Sequence, residues 1–176
     1  EAKILPARFA AQTACFRREA GTYGKDQHGI IRVHQFNKVE MVVFARPEES
    51  EKIHAELLAI EEEFVQSLGL PYQVVNICSG DLGFPAAKKY DVEAWFPGQG
   101  AFREITSASN ATDFQSRRLN IHLRDGKQKT LAHTLNGTLC SDRPLLAIME
   151  NFQQADGSVK IPKALVPYCG FDTLRA

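Results

Sequence analysis

The chain has 176 residues, enough for one compact domain, and its 21 basic side chains cancel its 21 acidic ones. Without net charge there is no global field to draw nucleic acid, which leaves only local basic patches. A composition that is 44% hydrophobic and 24% charged argues against disorder, and no apolar run approaches the roughly 20 residues that span a bilayer.

Residues 1–16 carry no basic stretch followed by a long apolar one, so no secretory leader is expected. The sequons at Asn110 and Asn136 are therefore not expected to be glycosylated. Cys15, Cys78, Cys140 and Cys169 are widely spaced and form no CxxC pair. That disfavours a zinc knuckle or a disulfide scaffold and fits a reducing, cytoplasmic setting.

In chain order, residues 8–20 read as a strand and residues 29–44 as a longer, β-branched one. GTYGKDQHG between them is too long for a tight turn and reads as an exposed hairpin loop. Pro47, Glu48, Glu49 and Glu51 then open a helix, with Ile53, Leu57, Ile60, Phe64 and Leu68 at helical spacing. Gly69 and Pro71 end it. Glu61, Glu62 and Glu63 are expected on its solvated flank.

Strands are expected at 72–78, 90–96 and 102–107, and a short helix at 113–119 capped by Thr112 or Asp113. Two further strands, 119–124 and 130–135, flank the turn DGKQK. An amphipathic helix follows over 144–154 with Pro144 at its start, and the Pro-punctuated tail VKIPKALVPYCG reads as extended. Hairpins dominate and the main helices lie far apart. The expected fold is therefore α+β, a largely antiparallel sheet flanked by helices, in one domain over 1–176.

Three stretches place charge where strands usually bury apolar side chains: 15–21, 33–40 and 102–110. Alternation sets Arg17 and Glu19 on one face of their strand, and Phe36, Lys38 and Glu40 on one face of theirs. A hairpin brings these faces side by side. Such a surface suits a polyanionic ligand with a metal, or is simply a solvated sheet face.

TACFRREAGTYGKDQHGIIRVHQFNKVEM resembles motif 2 of class II aminoacyl-tRNA synthetases in the form typical of the seryl-tRNA synthetase family. REITSASNATDFQSRRLNI is similar to that family's REISS segment and its following DFQ-x-RR. HTLNG…RPLLAIMENFQQADGSVKIPKALVPY is similar to its motif 3 and C-terminal end. The resemblance runs from about Leu5 to Tyr168.

It implies a class II catalytic core that joins serine to ATP as seryl-adenylate and passes the seryl group to serine tRNA. Arg17 corresponds to the arginine that contacts the α-phosphate and the serine carboxylate, and Glu19 to the glutamate facing the adenine amino group. Phe36 corresponds to the aromatic that stacks on adenine, and Val33 lies at a neighbouring nucleotide contact. Glu40 matches the glutamate that recognises serine, with Asn136 and Thr138 near the same pocket. Glu104 and Ser107 match magnesium ligands, Thr106 standing where a serine is usual. Arg143 resembles the arginine of motif 3 at the γ-phosphate. The loop 21–29, with Lys25 and His28, corresponds to the one that approaches the tRNA acceptor end.

Motif 3 departs from the family pattern. Arg143 follows Asn136 by seven residues where eight are usual, which reads as a shortened loop, and Asp142 sets a carboxylate beside the arginine. Cys140 has a counterpart in one branch of the family and is not expected to be a catalytic thiol. The family's helical tRNA-binding arm, motif 1 (which makes a homodimer) and Thr-x-Glu segment find no match in these residues. The chain alone is therefore expected to be an incomplete, impaired core. A non-catalytic module that binds tRNA or protein is the alternative, and a ligase charging another carrier a third.

Overall fold

The computed structural model describes residues 4–18 and 30–175. Its centre is a six-stranded sheet built from β1 (Ala7–Phe16), β2 (Gln35–Ala45), β3 (Tyr72–Asn76), β4 (Lys88–Phe96), β5 (Ala101–Asn110) and β8 (His133–Ser141). The strand order is β1-β2-β8-β5-β4-β3 and every ladder is antiparallel. The expected α+β architecture is thus present, with one change of consequence at its middle.

That change is β8. Residues 130–135 are not one strand. β6 (His122–Asp125) and β7 (Gln128–Leu131) form a separate ribbon, the chain turns at the buried Ala132, and β8 then enters the sheet between β2 and β5. Asn136, Gly137, Thr138 and Ser141 mimic a loop in sequence, yet they pair with Val42, Met41, Glu40 and Lys38 on β2. β5 and β8 pair only over Ala108–Asn110 and Leu135–Gly137, and diverge beyond.

Behind the sheet runs α1 (Ser50–Ser67), preceded by a 3-10 turn at Pro47–Glu49. Its buried stripe is Ile53, Leu57, Glu61, Val65 and Leu68, one step round from the expected one: Ile60 is 42% exposed, whereas Glu61 is fully buried. The expectation of a solvated acidic flank therefore fails for Glu61. Positions 57, 61 and 65 follow each other at i+4, so the carboxyl lies on the face that the sheet covers. Gly69 takes φ +69° and ends the helix.

α2 (Phe114–Leu119) begins at Asp113, whose carboxylate pairs with Arg117 and makes no cap bond to the backbone. α3 (Asp142–Phe152) is capped by Ser141, whose Oγ accepts from the Arg143 amide at 3.4 Å. The tail is less extended than expected. β9 (Val159–Lys160) and β10 (Thr173–Leu174) pair around α4 (Val166–Cys169), a single turn closed by Gly170. Packing is concentrated where α1 and α3 meet β4 and β5, around Val65, Val92, Phe96, Ile105 and Ile148. A second cluster ties α1 to β2 and β8 through Met41, Val43, Leu57 and Leu135. All four cysteines are free thiols, and no described helix is long and apolar enough to cross a membrane.

Candidate active site

The β1–β2 register sets Cys15 opposite Phe36, Thr13 opposite Lys38 and Ala11 opposite Glu40, so the charged side chains share one sheet face. Pairing continues past Phe16, where the Arg17 amide donates to the His34 carbonyl at 2.8 Å. The Arg17 guanidinium lies 4.5 Å from the Phe36 ring centroid, a cation–π contact. Next along that face, Lys38 Nζ is 2.8 Å from Glu40 Oε2.

Glu40 is then engaged from β8. Asn136 Nδ2 donates to Oε1 at 2.7 Å and Thr138 Oγ1 donates to Oε2 at 3.0 Å. The register makes this possible: Val39 faces Cys140 and Glu40 faces Thr138, so Leu139 is an extra residue at a bulge. With lysine, amide and hydroxyl all donating, the carboxylate is fixed in orientation.

β8 runs straight into α3, so the residues before Arg143 are strand and cap where the sequence reads as a shortened loop. Arg143 Nε donates to the Ile31 carbonyl at 3.2 Å, while Nη1 reaches the Glu104 carbonyl at 2.7 Å and Glu104 Oε2 at 3.2 Å. Asp142 Oδ2 accepts from the Asn37 amide at 3.2 Å, which ties it to β2. The Cys140 thiol is pushed up by burial and then by Asp142, and it donates to the Ser141 carbonyl. It stays protonated and is no nucleophile.

Arg17, Val33, Phe36, Glu104, Ser107 and Arg143 all line one open cleft, and Thr138 joins them. Asn136 and Glu40 stand just behind Thr138 through the hydrogen bonds above. Of the expected site residues, Glu19 lies outside the described residues, as do Lys25, His28 and the loop that holds them. Lys38, Ile31 and Thr106 also line the cleft, and sequence alone does not assign them a role. Lys38 is signalled by its alternation with Phe36 and Glu40; Thr106 and Ile31 carry no such mark.

Glu104 and Ser107 offer one carboxylate and one hydroxyl from β5. No group of three His, Cys, Asp or Glu side chains among the described residues could hold a metal. Two hard oxygen donors nonetheless fit Mg²⁺, which keeps its waters and takes the rest of its shell from phosphates. Asp91, opposite Ser107 on β4, adds negative character. Burial pushes its carboxyl up, Lys89 at 2.8 Å pulls it down, and the Glu104 charge pushes it up further.

On the far side of the sheet, burial pushes the Glu61 carboxyl up to about 8, against the pull of a hydrogen bond from Thr106. Thr106 Oγ1 donates to Glu61 Oε2 at 3.0 Å. The Glu40, Asp91 and Glu104 carboxylates add to the upward shift, so the group is neutral near pH 7.

Residues 1–152 match the family model described as tRNA synthetase class II core domain (G, H, P, S and T). A Serine--tRNA ligase of Thermobifida fusca is 58% identical over 176 residues, covering 99% of this chain and 42% of that protein. A Serine--tRNA ligase of Pyrococcus furiosus is 58% identical over 174 residues, covering 97% of this chain and 38% of that protein. Among solved structures, seryl-tRNA synthetase from Pyrococcus horikoshii complexed with ATP superposes with a TM-score of 0.95 at 55% identity, over 98% of this chain and 39% of that one. The chain thus spans less than half the length of each relative.

Proposed function

Because the chain belongs to the tRNA synthetase class II core-domain family, we propose that it is the ATP- and serine-binding floor of a serine–tRNA ligase. The observation that carries this reading is Glu40: a carboxylate fixed by Lys38, Asn136 and Thr138, beside a cleft lined by Arg17, Phe36 and Arg143. Such a group has a lone pair on Oε1 left over for a small hydroxyl side chain. It penalises an analogue that lacks one, because that remaining acceptor position then loses its donor in a partly desolvated place. The relatives are serine–tRNA ligases, and one solved neighbour is complexed with ATP.

In this reading the serine carboxylate attacks the α-phosphorus of ATP and pyrophosphate leaves. Arg17 binds the α-phosphate and the attacking carboxylate with its planar fork, holding them in line. Phe36 supplies a face for adenine, and Val33 packs beside it. Arg143, anchored by Ile31 and Glu104, binds the γ-phosphate, and positive charge around the triphosphate stabilises the transition state. Glu104 and Ser107 would hold Mg²⁺, which when bound neutralises charge on the departing pyrophosphate. No side chain of this chain need act as a nucleophile. Glu19 would face the adenine amino group, and the 21–29 loop the acceptor end of serine tRNA. The intact protein would be a cytoplasmic homodimer, its adenylating core completed by segments outside these residues.

Serine-dependent ATP–pyrophosphate exchange by the full-length protein tests this reading. Exchange with serine, and far less with alanine or threonine, is expected. Absence of exchange overturns it, and serine exchange without charging of serine tRNA points to another carrier.

A further inference from the structure

Where β5 and β8 part company, one side chain fills the fork from behind. The ladder between them ends at Ala108 and Gly137. Glu61, with no solvent exposure, projects from α1 into this place. Its Oε2 accepts from Thr106 of β5 at 3.0 Å, and its Oε1 is buried without a hydrogen-bond partner among the described residues. On the β8 side that oxygen presses against Gly137: a Cβ there would lie only 2.7 Å from it. Gly137 does not adopt positive φ, so space and not backbone conformation forbids a side chain. The other close neighbour is the Met41 methyl at 3.2 Å, the movable end of a flexible chain.

The two strands it touches carry two halves of the site. Gly137 sits between Asn136 and Thr138, the β8 donors to Glu40. Thr106 sits next to Ser107 on β5, which lines the cleft with Glu104. A buried carboxyl with an unpaired oxygen is costly, and an apolar side chain of similar size would serve packing at least as well. Its placement calls for a reason beyond stability.

We propose that Glu61 is a positioning residue for the serine pocket: its carboxyl wedges β8 from β5 at their fork and so fixes Asn136 and Thr138 on Glu40. The proposal rests on Glu40 being the serine-recognising group. Arg17 and Phe36 belong to the β1–β2 hairpin, whereas the Glu61 carboxyl bonds Thr106 on β5 and crowds Gly137 on β8, next to the Asn136 and Thr138 donors. The wedge therefore acts on serine more than on ATP.

The test is steady-state ATP–pyrophosphate exchange by the full-length protein, with thermal unfolding followed in parallel. Four variants are compared with the wild type: E61Q, E61A, G137A and the double variant E61A/G137A. E61Q keeps the shape and the contact with Thr106, and is expected to hold the serine KM within about twofold of wild type; E61A is expected to raise it roughly tenfold with little change in the ATP KM. G137A is expected to raise the serine KM as well, because its new methyl meets Oε1. In the double variant the methyl enters the space left by the carboxyl, so the serine KM should fall back from the G137A value. The proposal is overturned by an unchanged serine KM in E61A, by equal rises for serine and ATP that track a lower unfolding temperature, or by a double variant no better than G137A. A wild type that does not exchange with serine overturns the serine reading itself and the wedge with it.

Discussion

Arg143 and Glu104 grip each other across the mouth of the cleft, with the arginine's Nη1 2.7 Å from the Glu104 carbonyl and 3.2 Å from its carboxylate. The backbone bond holds the guanidinium in place even when the carboxylate turns to another partner. Its Nε bond to Ile31 fixes the plane. Arg143 therefore keeps its direction on the shorter approach from β8, and Asp142 is occupied by Asn37.

A lysine cannot reproduce this anchoring, since it presents one ammonium where the arginine uses Nε and Nη1 on separate carbonyls. Arg143→Lys is expected to lower kcat/KM for ATP by roughly 100-fold while the serine KM changes little. Steady-state exchange with each substrate varied in turn checks this. Equal performance of the lysine variant would remove Arg143 from the phosphate site.

Glu40→Ala leaves Lys38, Asn136 and Thr138 donating to nothing. If Glu40 is the serine acceptor proposed above, loss of serine-dependent exchange by at least about 100-fold is expected, with ATP binding retained. The unpaired donors should also lower stability by about 1–3 kcal/mol. Denaturant unfolding of both proteins gives the second figure, and calorimetric ATP titration shows whether the nucleotide side is intact.

The face shared by Phe36, Lys38 and Glu40 was legible in the sequence because strand alternation has a period of two and needs no knowledge of the partner. β8 was not, since Asn136, Gly137 and Ser141 have the composition of a turn. Their polar character answers instead to Glu40 on one face, and the glycine to Glu61 on the other. Glu61 was hidden for a related reason. It does share the i+4 spacing of Leu57 and Val65, but Ile60 and Phe64 offer an apolar stripe one step round. The contacts that decide between them, Thr106 and Gly137, are 45 and more residues away. The hairpin loop and Glu19 lie outside the described residues, so their part in the site rests on sequence resemblance.

Glu61 also sets a pH dependence whose sign can be worked out. Its carboxyl lies at about 8 in the folded chain against an ordinary value of 4.5. Between these values the folded state holds a proton that the unfolded state has released, so stability is greatest at the acid side and falls as pH rises through the window. Glu61→Gln carries no such proton. Between pH 5 and pH 8 it should gain on the order of 3 kcal/mol relative to wild type. Paired urea unfolding curves across that range check it, and a difference that stays flat with pH would mean the carboxyl titrates normally.

The contact between Arg17 and Phe36 makes a prediction about order of events on nucleotide binding. With its centre 4.5 Å from the ring centroid, the guanidinium covers one face of Phe36. Adenine on that same face would have to displace it, releasing the arginine toward the phosphates; adenine on the opposite face would leave a sandwich. Either way the ring's π face is used, and a side chain of similar bulk without it should bind ATP less well. Phe36→Leu is expected to raise the ATP KM roughly tenfold, from lost stacking and lost cation–π contact together. The serine KM should stay near its wild-type value, since Glu40 keeps Lys38, Asn136 and Thr138. An ATP KM unaffected by the substitution would place adenine elsewhere in the cleft and leave Phe36 as support for Arg17 alone.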